Sequence, residues 1–273
     1  MNIKILETIS IIYKHSRISY RRFGHGDKIL VCFHGYGEDA GSFLFLEKIL
    51  GKEFDFIALD LPFHGSTDWK EGLLCTGDDL MNIIDQIIGY GSKSFAILGY
   101  SMGGRVALQL LQANPDRIKK LILIAPDGLH HNIWHQLSTQ TTIGNTLFSY
   151  TMNQPYWMFS LLKLLTATKL FNKSIVNFVH YYLDDPDSRQ LLYKRWTAMR
   201  KFNPSLSLLK KIIAEKKTRI SMLFGKYDRV ILTKRGLKFR KNLEAFIRIT
   251  ELEAGHQLLK PKYADDIAML IRS

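Results

Sequence analysis

The sequence predicts an α/β fold, a doubly wound and mostly parallel sheet carrying an inserted helical segment. Three observations lead there. Short apolar runs alternate with helical patterns over most of the chain. Several of these runs are apolar nearly throughout, as expected of parallel strands covered on both faces. The alternation stops between residues 127 and 216, where helical patterns alone continue.

From the N-terminus, segments 4–13 and 17–23 would add antiparallel strands at one edge. The strand-like runs are ILVCF (29–33), FDFIALD (54–60), SFAILGY (94–100), LILIA (121–125), ISMLFG (220–225) and FIRITEL (246–252). Helical patterns at 41–50, 76–90, 101–114, 233–243 and 261–272 lie between and after them. Within the interruption, 155–171, 175–183 and 188–202 read as helices. The first is apolar almost all round, broken by Lys163 and Lys169, so it needs partners on most of its sides. The expected organisation is a core of 1–126 and 217–273, with 127–216 as a helical cap over the carboxyl ends of the strands.

A chain of 273 residues suffices for one large domain with an insertion. A hydrophobic fraction of 46% excludes a disordered or fibrous protein. Two cysteines make no disulfide framework; Cys32, inside an apolar run, packs as a small hydrophobe, which fits a reduced, intracellular setting. Lys4, Glu7 and Lys14 break the N-terminal apolar residues, and no run reaches the roughly 18 apolar residues of a membrane span. The expectation is a soluble, cytoplasmic protein. The 38 Lys and Arg against 25 Asp and Glu give a net charge of +13. These charges are dispersed in small clusters such as Lys119–Lys120 and Lys234–Arg235, without a nucleic-acid module, and read as a solubilising surface. No nucleic-acid partner is expected, and composition alone leaves transient contact with a lipid surface open. Oligomeric state is not readable.

The stretch GYSMGG (99–104) carries the chemistry. Gly99-Tyr100-Ser101-Met102-Gly103 fits G-x-S-x-G, a sharp strand–turn–helix that exposes its serine at the top of a sheet. A serine hydroxyl is a poor nucleophile without a base, so an orienting acid and a histidine should follow, in that order. LFGKYDRVI (223–231) offers Asp228 just after a strand, and ELEAGHQLL (251–259) offers His256 before the final helix. Taken singly, Asp228 reads as a turn residue, His256 as a surface histidine and Ser101 as a helix cap. Three residue types at strand ends in the required order make a catalytic triad the better reading. Asp127, one strand earlier, is the secondary candidate for the acid.

A serine that transfers acyl groups also needs donors for the developing oxyanion. The backbone N–H of Met102 is one, presented by the turn itself. The loop after ILVCF reads His34-Gly35-Tyr36-Gly37 and offers the backbone N–H of Tyr36, with Gly35 and Gly37 as candidate substrate-binding neighbours.

With these residues in place the chain resembles the α/β-hydrolase fold superfamily, in its serine-nucleophile, esterase- and lipase-like branch. The likeness rests on HGYG (34–37), GYSMGG (99–104), GKYD (225–228) and AGH (254–256), over about 28–126 and 217–273. The family often carries D-x-P-G-H-G-x-S after its second parallel strand. Here that segment is Asp60-Leu61-Pro62-Phe63-His64-Gly65-Ser66-Thr67, with Phe63 for a glycine and Thr67 for the serine. His64 reads as structural. Relatives with aspartate at the elbow, the dehalogenases and epoxide hydrolases, are excluded by Ser101.

What the resemblance implies is hydrolysis of a carboxylic ester or thioester through an acyl-enzyme, on a small-molecule substrate, without metal or cofactor. An apolar acyl group is suggested by the aromatic, apolar insert. Arg105 supports a second reading. GYSMGGR is similar to the elbow of a menaquinone-pathway synthase that eliminates pyruvate, which would make the protein a lyase or C–C bond hydrolase on an anionic substrate. A salt bridge anchoring the helix is the simpler explanation of Arg105. Arg189, Arg195 and Arg200 could complete an anion site, although nothing in the sequence aims them there. A ligand-binding receptor of the same fold is the third reading, and cofactor-free perhydrolases share the SMGG elbow.

Overall fold

The computed structural model describes residues 7–90, 94–130, 133–160 and 183–273. Eight strands form one sheet: β1 (Ile9–Tyr13), β2 (Ser16–Phe23), β3 (Lys28–Phe33), β4 (Phe54–Leu59), β5 (Phe95–Tyr100), β6 (Ile118–Ile124), β7 (Arg219–Gly225) and β8 (Ile247–Leu252). Their order is β1-β2-β4-β3-β5-β6-β7-β8. The strands β3 to β8 pair in parallel, whereas β2 lies antiparallel on β4 and β1 antiparallel on β2. The apolar runs are parallel strands because both faces are covered: Leu30, Val31, Cys32 and Phe33 are completely buried. From β3 the chain moves one way to β4 and the other way from β5 onward. That reversal leaves a crevice at the carboxyl ends of β3 and β5, where open α/β sheets bind their ligands.

The α-helices bounded within the described residues are α1 (Glu47–Leu50), α2 (Gly77–Ile88), α3 (Met102–Ala113), α4 (Ile133–Gln140), α5 (Thr142–Asn153), α6 (Pro186–Ala198), α7 (Leu206–Lys216), α8 (Thr233–Arg240) and α9 (Ala264–Arg272). The helix expected at 41–50 is a 3₁₀ stretch, Ala40–Leu46, followed by the single turn of α1. The tighter winding eclipses residues three apart and places Phe43 and Leu46 together in the core, both fully buried. At the start of α2, Thr76 and Asp79 form a reciprocal capping box. Asp79 Oδ1 also accepts from Tyr13 Oη and Lys14 Nζ, each at 2.7 Å. Burial alone would raise the Asp79 carboxyl, but Lys14, Thr76 and Tyr13 together hold it at about 2. The helix is thereby tied to the edge hairpin by a buried carboxylate.

By contacts the chain divides into two units: Met1–Glu71, Thr76–His130 and Lys201–Ser273 form one, Gly72–Cys75 and His131–Arg200 the other. Residues 201–216, expected in the insert, belong with the sheet. Helix α7 packs on α3, burying Leu209 and Ile213, and Ser205 N donates to Gln112 Oε1 at 2.7 Å.

The described residues of the second unit are mostly helical. Asn145 on α5 donates to Ser138 O of α4 and Thr197 Oγ1 of α6, both at 3.2 Å. Phe148 packs on Tyr193 and Trp196, with ring centroids 5.3 and 5.8 Å away. Arg189 is buried and donates to the carbonyls of Met152, Leu183 and Asp184; Arg200 donates to those of Leu73 and Thr197. These two guanidiniums therefore satisfy main-chain acceptors within the unit. Most of the expected helices at 155–171 and 175–183 lies outside the described residues, as does the start of segment 4–13. Cys32 and Cys75 are both buried thiols. No helix among the described residues is long and apolar enough to cross a membrane.

Candidate active site

The chemistry-bearing side chains gather at the carboxyl ends of the parallel strands: His34 after β3, Asp60 after β4, Ser101 after β5, Asp127 after β6, Asp228 after β7 and His256 after β8. A groove of about 820 Å³ lies at the opposite end of the sheet, among Lys28, Phe54, Lys120 and Arg219, and contains none of them.

Ser101 has φ 50° and ψ −114°, a conformation that costs an L-residue of order 1–3 kcal/mol and persists only where packing enforces it. The packing is visible. A Cβ on Gly103 would stand 2.0 Å from Phe33 O, so only glycine lets α3 approach β3 this closely. The turn is closed by Ser101 N donating to Ile124 O at 3.0 Å and Asp127 N donating to Ser101 O at 2.9 Å.

The three residues expected to act together do meet. Ser101 Oγ lies 3.1 Å from His256 Nε2, and His256 Nδ1 lies 2.7 Å from Asp228 Oδ2. The Asp228 side chain is fully buried, and its Oδ1 accepts from Val230 N at 2.7 Å and Ile231 N at 2.9 Å. An ionised carboxylate only accepts, so Nδ1 of His256 carries the proton. In the neutral ring Nε2 is then the acceptor for the serine hydroxyl.

Asp127 does not reach the histidine cluster in this way: its Oδ2 lies 3.5 Å from Arg105 Nε, and the Arg105 side chain is only 12% exposed. The pair ties the first turns of α3 to the segment after β6.

The loop after β3 is locked from below. His34 is fully buried; its Nε2 accepts from Leu61 N at 3.1 Å while Nδ1 lies 2.8 Å from Gly35 O. These contacts define a single tautomer, with the proton on Nδ1. Gly35 packs against the Tyr100 ring, Gly37 has φ 76°, and the Tyr36 ring meets His64 edge-on at 6.0 Å. Met102 opens α3, where N–H groups have no partner within the helix. His64 is buried, with Nδ1 2.9 Å from Pro62 O, and its ring lies tilted against that of His34, with centroids 5.0 Å apart.

Two residues at this cluster escape motif reading. Tyr100 Oη donates to His256 O at 3.2 Å, and its ring packs on the imidazole with centroids 5.7 Å apart. Burial, with Glu38 and Asp228 nearby, pushes its phenol well up. Glu38 sits directly after HGYG, and burial raises its carboxyl above the usual range. Position next to the loop motif was its only signal in the sequence.

The model for the alpha/beta hydrolase fold family matches residues 28–193. Among curated relatives, an uncharacterised hydrolase of Bacillus subtilis, YugF, is 28% identical over 124 residues, covering 45% of this chain and 43% of that protein. A pimeloyl-[acyl-carrier protein] methyl ester esterase of Aeromonas salmonicida is 32% identical over 129 residues, 46% of this chain and 49% of the relative. The chain thus spans less than half the length of these relatives. Among solved structures, a thermophilic esterase from Thermogutta terrifontis superposes with a TM-score of 0.65 at 16% identity, covering 97% of this chain and 98% of that one.

Proposed function

The chain belongs to the alpha/beta hydrolase fold family, and from that premise we propose that it is a serine hydrolase that cleaves a carboxylic ester or thioester through an acyl-enzyme. The observation that carries the reading is the continuous Ser101–His256–Asp228 hydrogen-bonded chain on a strained strand–helix turn. Ser101 Oγ attacks the substrate carbonyl while His256 Nε2 takes its proton. Asp228 holds the ring in the accepting tautomer and stabilises the imidazolium. The proton then passes to the leaving alcohol or thiol, and water activated by the same imidazole releases the acid. The N–H groups of Met102 and Tyr36 serve the oxyanion, each worth about 3 kcal/mol in the transition state.

The named activity of the Aeromonas relative supports an ester substrate. An apolar acyl group rests on the apolar sequence of 155–171. The same reading has the protein work in the cytoplasm on a small molecule without metal or cofactor. Engagement of Arg105 by Asp127 favours it over the lyase or C–C hydrolase on an anionic substrate.

Steady-state hydrolysis of neutral chromogenic esters of short and long acyl chain tests it. We expect turnover by the native protein that falls by at least about 10³-fold in Ser101→Ala, since a triad without its nucleophile retains little. Preference along the chain-length series tests the apolar acyl group. Absence of turnover, or a single stoichiometric burst, would overturn the reading in favour of a receptor or an anionic-substrate enzyme.

A further inference from the structure

The mechanism above leaves one ionisable group at the cluster without a task. Glu38 Oε2 is buried and has no hydrogen-bond partner, a costly arrangement for a carboxyl unless something rewards it. The Gly35 amide and the Ser42 side chain favour its ionised form against the pull of burial. The position of a Cβ on Gly35 would be 3.5 Å from Glu38 Oε2 and 3.0 Å from the Tyr100 ring. Tyr100 in turn packs on the His256 ring and bonds its carbonyl. Glu38, Gly35, Tyr100 and His256 are therefore one continuous wall.

We propose that Glu38 is a positioning residue of the reaction: its carboxylate, set on the wall formed with Gly35, Tyr100 and His256, supplies a second negative charge to the imidazolium that forms on His256. The inference rests on the serine-hydrolase reading. Asp228 commits its oxygens to His256 and two backbone amides, so the charge of Glu38 adds to that of Asp228 without replacing any contact it makes. A charge out of water acts more strongly on its neighbours than one in bulk solvent. The groups that bear on the pair are Asp228 and Tyr100 around His256, and Asp39, Tyr100 and the Gly35 amide around Glu38. Asp39 and burial favour the neutral form of Glu38, whereas a charged His256 favours its anion. Because the imidazole is neutral before attack and charged in the transition state, the benefit falls on kcat rather than KM.

Glu38→Gln keeps the shape of the side chain but removes the charge. We expect kcat to fall about fivefold with KM within about twofold, as loss of one favourable charge contact implies. The acid limb of the kcat profile should move to lower pH, because an imidazolium deprived of an anion gives up its proton more readily. The His256 ring resonance should shift its midpoint in the same direction. In the native protein, the Glu38 carboxyl carbon should show a second inflection where His256 titrates. A Glu38→Gln protein with unchanged kcat and unchanged His256 titration would overturn the inference. So would a native Glu38 signal without that inflection, a result that needs no variant to fold. Native protein that turns over no ester sinks the hydrolase reading separately, since both resonance measurements proceed without turnover.

Discussion

Among the non-glycine residues that this protein holds in the left-handed region, Ser101 at φ 50° and Phe63 at φ 62° both lie in turns after parallel strands of the same sheet. They are held by different forces. At the elbow, backbone meets backbone: α3 lies against the end of β3 so closely that Gly103 has no room for a methyl group. At the corner after β4, side chains do the holding. Asp60 accepts from Ala40 N at 2.7 Å and Ser66 N at 2.8 Å, and Thr67 Oγ1 donates to Asp60 O at 2.8 Å. A Cβ on Gly65 would meet Asp60 Oδ2 at 2.2 Å, a side-chain rather than a main-chain obstacle. Strain locked by main-chain packing can be released only by moving a helix off its sheet. Strain locked by a carboxylate can be released one contact at a time.

The comparison breaks most sharply at Gly103. Gly103→Ala should cost about 3 kcal/mol or more, because Phe33 O is not a flexible group that can step aside. Chemical denaturation measures it, and a tolerated methyl group would show that the elbow does not depend on this approach. Asp60→Ala should cost about 2 kcal/mol by leaving the amides of Ala40 and Ser66 without their acceptor. The same denaturation curves would contradict a side-chain-held corner if the loss were a few tenths. Phe63→Gly is the smallest change: relief of the strained φ and the extra entropy of the unfolded glycine nearly cancel, leaving a net effect below about 1 kcal/mol. Ester turnover should be unaltered in that variant, and a large loss would mean that the Phe63 ring belongs to the substrate pocket.

Much of the site could be read from the chain because its parts lie at strand ends. Asp228 and His256 each follow an apolar run by a few residues, and local patterning is enough to find such positions. The 3₁₀ winding of Ala40–Leu46 was not legible, since it depends on how Phe43 and Leu46 meet the sheet. Nor was the allegiance of α7, whose apolar stripe suits a helical insert as well as it suits α3. Arg105 is the clearest case. An arginine one turn beyond the serine is compatible with binding an anionic substrate or with an internal pair, and only the placement of Asp127 distinguishes them.

The sequence by itself determined the alternation of strands and helices, the strand-end positions of Ser101, Asp228 and His256, and the glycines that the elbow demands. These are properties of periodicity and of residue size, and both act over a few residues. Tertiary structure decided which carboxylate faces which cation, which tautomer His34 holds, and that Glu38 Oε2 is taken out of water without a partner. Such choices depend on distances between segments that the chain itself keeps apart, such as the 3.5 Å from Arg105 to Asp127 and the 3.1 Å from Ser101 to His256. No local pattern encodes distances of that kind, because they are set by how the helices and loops pack on the finished sheet.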